Sequence, residues 1–217
     1  MRSLTNLCAA ALLLLPLACT QTGGEHARAV YVLLDVSGTY STRLDAANPV
    51  INYLLGTLVS GDSLTLASID SASFSERNII SQVTFDARPS VANEQKRALR
   101  KRLDAFLADL HPSAHTDVSG AVLQAAQYLH ESGAGHRYIL IFSDLEQDLP
   151  KGYVRKAHVS LSGTKVVAMD VTKLHSDNVN PQLYLDRLAY WKNAVTTDGG
   201  EWQVVNDMNH LDRVFHD

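Results

Sequence analysis

Residues 28–39 read RAVYVLLDVSGT, and this stretch decides the fold class. Its first seven residues are almost entirely apolar and favour β-structure, which predicts a central strand buried on both faces. The polar residues that follow, Asp35, Ser37 and Thr39, place one carboxylate and two hydroxyls on a strand-to-helix turn. Ligands bind at the carboxyl ends of the strands in open α/β sheets, and oxygen ligands suit Mg²⁺, Mn²⁺ or Ca²⁺. The turn is therefore a candidate cation site.

Apolar runs alternate with amphipathic segments along the rest of the chain. This order predicts an α/β fold, a doubly wound, mostly parallel six-stranded sheet with helices on both faces. A single domain over residues 28–217 is expected, because about 190 residues suffice to bury one core. The predicted strands are 28–34, 62–70, 78–85, 137–142, 164–171 and 201–205. The predicted helices are 44–59, 91–110, 117–130, 181–195 and a terminal stub over 210–215.

Composition excludes several classes of function. The formal net charge of −4 offers no electrostatic attraction to nucleic acid, and we expect no nucleic-acid partner. The two cysteines, Cys8 and Cys19, both lie in or beside the N-terminal apolar segment. A thiol nucleophile or a thiolate zinc site is therefore not expected in the folded domain.

The N-terminal segment predicts export. Residues 7–18 are apolar, too few to span a bilayer, which needs roughly 20 residues, but typical of a secretory signal. The end of this segment, Leu17-Ala18-Cys19, resembles the lipobox of bacterial lipoproteins, in which the cysteine is acylated. The resemblance implies a signal peptide over residues 1–18, lipidation of Cys19 and a tether to residue 27. A cleaved signal without lipid, or an uncleaved hydrophobic anchor, is the alternative.

The residue after the cysteine is Thr20, not the aspartate that tends to retain lipoproteins in the inner membrane. The resemblance therefore implies an anchor in the outer membrane, with the domain in the periplasm.

Two distant segments are candidates for the same site as Asp35. Asp144 follows the predicted strand 137–142, and Thr116 precedes the predicted helix 117–130. In a parallel sheet the carboxyl ends of neighbouring strands lie along one edge, so these residues would meet if the strands are neighbours. Each fragment alone has a simpler explanation, since Asp35 or Asp117 could cap a helix and Asp144 could be a turn residue.

Together the residues resemble the metal-ion-dependent adhesion site (MIDAS) of von Willebrand factor type A domains. Its pattern is Asp-x-Ser-x-Ser, a later Thr and a later Asp, and the resemblance covers nearly all of residues 28–216. Thr39 replaces the second serine. The matching residues here are Asp35, Ser37, Thr39, Thr116 and Asp144.

The resemblance implies a role for each group of residues. The three hydroxyls would touch Mg²⁺, Mn²⁺ or Ca²⁺ directly or through water, and the two carboxylates would hold coordinated waters or hydroxyls. A carboxylate of an unidentified protein partner would complete the coordination, so binding and not catalysis is expected. His115, Asp117 and Glu146 would form the rim that contacts this partner.

A phosphatase is the main alternative. Residues 35–39 also resemble the Asp-x-Asp-x-Thr motif of haloacid-dehalogenase-like, Mg²⁺-dependent phosphatases, with Asp35 as nucleophile and residues 143–148 as the last acidic motif. Ser37 stands where those enzymes need a general acid, and a serine cannot protonate a leaving alkoxide near neutral pH. A third possibility is a domain with a vestigial metal site whose contacts lie elsewhere.

Overall fold

Six strands and six α-helices are found in residues 24–152 and 159–215, which this computed structural model describes. The strands are β1 (Arg28–Asp35), β2 (Ser63–Ile69), β3 (Ile79–Thr84), β4 (His136–Phe142), β5 (Thr164–Met169) and β6 (Glu201–Val205). The helices are α1 (Ala47–Thr57), α2 (Pro89–Ala108), α3 (Val118–Glu131), α4 (His175–Val179), α5 (Gln182–Thr197) and α6 (Asp212–Phe215). The expected signal peptide and Cys19 lie outside the described residues.

The strands form one sheet in the order β3-β2-β1-β4-β5-β6. All neighbours are parallel except β2 and β3, which pair antiparallel at one edge. β1 therefore lies between β2 and β4, with Leu34 opposite Phe142 and Asp35 opposite Ile69. The predicted α/β fold with a mostly parallel sheet is confirmed. The carboxyl ends of β1 and β4 are adjacent, as the candidate site requires.

Helices cover both faces of the sheet and create two apolar layers. The first layer lies between the sheet and helices α1, α2 and α6, and the second between the sheet and helices α3 and α5. β1 contributes alternate residues to each: Val30, Val32 and Leu34 to the first, and Ala29, Tyr31 and Leu33 to the second. Burial on both faces explains its continuous apolar run. Each fully buried large aliphatic side chain contributes roughly 1.5–3 kcal/mol to stability.

The predicted elements all occur, and most bounds shift by one to three residues. Pro49 lies in the first turn of α1, where a missing backbone N–H costs nothing, and a 3-10 helix, Ser41–Ala46, precedes that helix. The short helix α4 had no sequence prediction, because five residues are too few to show a helical period. No helix of the described residues has the length and apolar composition to cross a bilayer.

Candidate metal site at the carboxyl ends of strands β1 and β4

Asp35 ends β1 as a completely buried carboxylate. One oxygen, Oδ1, accepts a hydrogen bond of 2.8 Å from the backbone N–H of Ser37, and Oδ2 accepts one of 2.5 Å from the Ser143 hydroxyl. Burial raises the pKa of Asp35 above its ordinary value, although the hydrogen bonds from Ser143 and Ser37 act in the opposite direction. The bond to Ser37 is a local aspartate turn that holds the residues after β1 at the sheet edge.

A continuous chain of oxygen atoms joins the two ends of the motif. The hydroxyls of Ser37 and Thr39 lie 3.1 Å apart, and the Thr39 hydroxyl donates to Asp144 Oδ2 at 2.8 Å. Asp144 is buried, and its other oxygen accepts a hydrogen bond of 2.9 Å from the backbone N–H of Glu146. Residues 105 positions apart in the sequence therefore meet at one place.

Thr116 reaches the same place through backbone pairing of two loops. Ser113 N–H donates to the Val36 carbonyl at 2.8 Å, while Thr116 and Asp148 exchange two backbone hydrogen bonds of 2.9 and 3.0 Å. These pairs close a cleft of about 470 Å³ above the ends of β1 and β4. The cleft is lined by Ser37, Gly38, Thr39, Ser113, Ala114, Thr116, Glu146, Gln147, Asp148 and Leu174.

The spacing of these oxygens suits a small divalent cation. Neighbouring ligands in an octahedral Mg²⁺ shell with bonds of about 2.1 Å are separated by about 3.0 Å. The hydroxyls of the two expected ligands Ser37 and Thr39 lie 3.1 Å apart, which matches that edge length. Hydroxyl and carboxylate oxygens are also the donors that Mg²⁺, Mn²⁺ and Ca²⁺ prefer. The residues present therefore fit such an ion.

No basic side chain of the described residues bonds to either of the two buried carboxylates, although Arg187 lies near enough to Asp144 to attract it electrostatically. Within residues 24–152 and 159–215, Asp35 and Asp144 have only hydroxyl and backbone N–H partners. In the same residues no group of three or more His, Cys, Asp or Glu side chains is placed to hold a metal ion, so a histidine- or carboxylate-rich centre is absent from this part of the chain. Two carboxylates and several hydroxyls are the donor set.

The three expected rim residues have different surroundings. Glu146 is about half exposed and lines the cleft, and His115 is half-buried with its Nδ1 2.9 Å from Asp148 Oδ2. Asp117, by contrast, is completely buried. Its Oδ1 accepts from the Gly120 backbone N–H at 2.8 Å, which caps α3. The rim prediction for Asp117 is wrong, because the helix cap takes the carboxylate inward, whereas the alternative prediction of a cap is confirmed.

Three residues that support the site were not predicted as site residues. Ser143 binds Asp35, Arg187 donates from Nε to the Asp144 carbonyl at 2.8 Å, and Trp191 donates from Nε1 to the Leu145 carbonyl at 2.9 Å. Leu145 has a left-handed backbone with φ of 64°, which costs a non-glycine residue about 1–2 kcal/mol. Only the Ser-Asp pair after β4 gave a local signal, since Arg187 and Trp191 lie more than forty residues further along the chain.

The fold is that of a von Willebrand factor type A-like α/β domain. Its structure is similar to that of a von Willebrand factor type A protein from Catenulispora acidiphila, with a TM-score of 0.51 and 10% sequence identity. The match covers 88% of this chain and 41% of that chain, so this chain spans about two fifths of that protein's length. At this identity the similarity concerns the fold.

Lower similarity is found to two Bacteroides proteins. An aerotolerance-related membrane protein from Bacteroides fragilis has a TM-score of 0.45 and 13% identity, with 87% of this chain and 96% of that chain covered. The conserved hypothetical protein BatB from Bacteroides thetaiotaomicron has a TM-score of 0.42 and 15% identity, with 87% and 95% covered. No protein-family model and no curated protein matches the sequence.

Proposed function

We propose that this chain is a protein-binding module that depends on a divalent cation, Mg²⁺ or else Mn²⁺ or Ca²⁺. The cation would be held by Ser37, Thr39 and Thr116, with Asp35 and Asp144 as the supporting carboxylates. When bound, the ion would supply positive charge and a coordination position for a carboxylate oxygen of a protein partner. The von Willebrand factor type A-like fold agrees with an interaction domain.

The observation that carries the proposal is a pair of buried carboxylates that make no ion pair in the described residues, where Arg187 attracts Asp144 only at longer range. Removing an ionised carboxylate from water is costly unless an opposite charge compensates it. Asp35 and Asp144 are 0% and 1% exposed, and their partners are hydroxyls and backbone N–H groups. A cation bound beside them would offset the cost.

The hydroxyls of the cleft would bind the cation, and other residues around the cleft would contact the partner. Neutral hydroxyls hold an ion while leaving most of its charge uncompensated, so an incoming carboxylate gains strong electrostatic attraction. Glu146 and His115 lie at the surface around the cleft and would contact the partner. The buried Asp117 would act only by fixing the start of α3 behind Thr116.

The proposal includes a location. The lipobox-like end of the N-terminal segment supports acylation of Cys19 and an anchor in the outer membrane, with the domain in the periplasm. In a bacterial host the wild type should incorporate a radiolabelled fatty acid, and Cys19→Ser should not. Wild type that takes up no label would contradict a lipid anchor.

The phosphatase alternative is less well supported by the geometry. A nucleophilic aspartate needs an oxygen that can reach a phosphorus atom. Both oxygens of Asp35 instead accept hydrogen bonds inside a completely buried environment. We therefore expect no metal-dependent release of phosphate from p-nitrophenyl phosphate. Steady hydrolysis of this ester by wild type that disappears in Asp35→Asn would support the phosphatase alternative.

Capture of the partner tests the proposed function. The tagged chain is incubated with solubilised membranes from its own host, in Mg²⁺ or in a chelator, and compared with Thr39→Val and Thr42→Val variants. The first substitution removes a hydroxyl that contacts Asp144, and the second alters an exposed threonine nearby. A partner retained by wild type and by Thr42→Val in Mg²⁺, but lost in chelator and with Thr39→Val, supports the proposal. Equal capture under all conditions would contradict it.

A further inference from the structure

We propose that Arg187 is a positioning residue that fixes Asp144 for the cation through the Asp144 backbone carbonyl, without a direct bond to its carboxylate. The inference rests on the metal-dependent function proposed above and assigns a role to a side chain outside the MIDAS pattern. Arg187 lies on α5, 43 residues after Asp144.

The guanidinium of Arg187 is almost buried and connects three segments. Its Nε donates to the backbone carbonyl of Asp144 at 2.8 Å. Its two terminal nitrogens donate to the carboxylate of Asp177 on α4, at 2.7 Å to Oδ2 and 3.3 Å to Oδ1. The side chains of Arg187 and Asp177 are 9% and 0% exposed. A planar, two-sided donor of this kind holds its partners in one geometry.

The contacts of Arg187 fix the backbone of Asp144 and do not include its carboxylate. Arg187 binds the carbonyl of Asp144 and not its carboxylate, which instead contacts Thr39 and the Glu146 backbone. The positive charge of the guanidinium is balanced by Asp177, with Glu146 a more distant neighbour at 3.5 Å. Arg187 therefore immobilises the loop without bonding to the Asp144 carboxylate, although the two opposite charges attract each other at longer range.

A second donor on α5 holds the next residue of the same loop. Trp191 lies one helical turn after Arg187, and its Nε1 donates to the Leu145 carbonyl at 2.9 Å. Leu145 is buried and has the left-handed backbone conformation that leucine rarely adopts. Two side chains on one side of α5 thus keep a strained turn in the conformation that aims Asp144 at Thr39.

The positioning role and a purely electrostatic role predict opposite results. If Arg187 acted on the cation only through its positive charge, replacing it by a neutral residue would strengthen cation binding. If it positions Asp144, the same replacement weakens binding, and lysine does not restore it, because an ammonium group cannot reproduce the planar fork. Loss of residues that orient metal ligands typically costs about 10–100-fold in metal affinity.

Calorimetric titration of the purified full chain with Mn²⁺ alone, and then Mg²⁺ alone, measures this effect. The variants are Arg187→Gln, Arg187→Lys and Trp191→Phe, and urea unfolding of each identifies the conditions under which it is folded. Arg28→Gln is the matched control, since Arg28 also donates to a buried aspartate, Asp62, and to a backbone carbonyl. It does so at the opposite end of β1, away from the site.

The expected result is a 10–100-fold weaker affinity for both Arg187 variants, a smaller loss for Trp191→Phe, and wild-type affinity for Arg28→Gln. Unchanged or tighter binding by folded Arg187→Gln would overturn the positioning role. An equal loss with Arg28→Gln would also overturn it, since the effect would then reflect general destabilisation. Wild type that binds neither ion would instead refute the proposed function itself. If Arg187→Gln does not fold, Arg187→Lys keeps the test decisive, since wild-type affinity of the folded lysine variant would overturn the positioning role.

Discussion

Ser143→Ala is expected to destabilise the protein strongly, because this hydroxyl serves two buried partners. Ser143 Oγ donates to Asp35 Oδ2 at 2.5 Å and accepts from the Leu145 backbone N–H at 2.8 Å. All three residues are 0–1% exposed, so water cannot replace the lost partner. A hydrogen bond to a charged group contributes about 1.5–3 kcal/mol, and an unpaired buried N–H costs about 1–3 kcal/mol. The free energy of unfolding should therefore fall by about 3–5 kcal/mol.

Urea unfolding and thermal melting measure this loss. For a domain of this size each kcal/mol corresponds to about 2–4 °C, so the melting temperature should fall by roughly 6–20 °C. Ser73→Ala is the matched control, because Ser73 is equally buried and also makes two hydrogen bonds, to the backbone N–H and carbonyl of Asp70, at 2.9 and 3.1 Å. Its partners are neutral, and bonds to charged groups are roughly twice as strong. We expect about half the destabilisation.

The comparison decides whether Asp35 is held as an uncompensated carboxylate. If Ser143→Ala lowers the free energy of unfolding no more than Ser73→Ala does, the hydrogen bond from Ser143 to Asp35 is not a bond to a charged group. The argument from two buried charges at the cleft would then fail.

Three further predictions concern other parts of the structure. Hydrogen bonds from Arg187 lower the pKa of Asp177, so its stabilising effect is complete above the ordinary pKa of about 4 and disappears as the pH falls through the lowered value. The difference in unfolding free energy between wild type and Asp177→Asn should be constant from pH 8 to 5 and shrink in acid, and a pH-independent difference in urea titrations would contradict this. Thr65→Val should increase the free energy of unfolding by about 1 kcal/mol and so raise the urea midpoint. The reason is that the buried Thr65 hydroxyl has no hydrogen-bond partner in the described residues. Thr57→Val removes a 2.9 Å hydrogen bond to a backbone carbonyl and should lower the urea midpoint. Midpoints that change in the same direction in both variants would refute the reasoning. Asp117→Ala should lower the free energy of unfolding by about 1–2 kcal/mol, because the α3 cap is lost. Asp117→Asn should lower it less, since asparagine can also cap a helix. An equal decrease for both variants would contradict the capping role.

The fold could be predicted from the sequence because its strongest signals are local. The apolar run of β1 is continuous since both faces of the strand are covered, and the amphipathic period of α2 is long enough to be unambiguous. The oxygen-rich motif of Asp35, Ser37 and Thr39 could also be predicted from the sequence, since all three lie within five residues. The short helix α4 was not, because its stability comes from contacts such as Asp177 with Arg187 and not from its own sequence.

The surroundings of each site residue could be predicted less well. Asp117 is adjacent to Thr116 in sequence, yet Thr116 lines the cleft and Asp117 is buried at the N-terminus of α3. Neighbouring residues at a helix start point in different directions, and only the packed structure determines which one reaches the surface. The donors from Arg187 and Trp191 depend on where α5 lies relative to the loop that follows β4, which no local pattern encodes.

Calorimetric titration of Mg²⁺ and Mn²⁺ into wild type and Asp144→Asn tests the central claim most directly. Asparagine keeps the shape of the side chain and can still bond to Thr39 and the Glu146 backbone, but it removes one of the two buried charges. Asp148→Asn, a change at the lining of the same cleft, is the control for general electrostatics. The account predicts binding by wild type, loss of at least tenfold in affinity for Asp144→Asn, and a small change for Asp148→Asn. Binding by Asp144→Asn equal to that of wild type, or no binding by wild type, would contradict it.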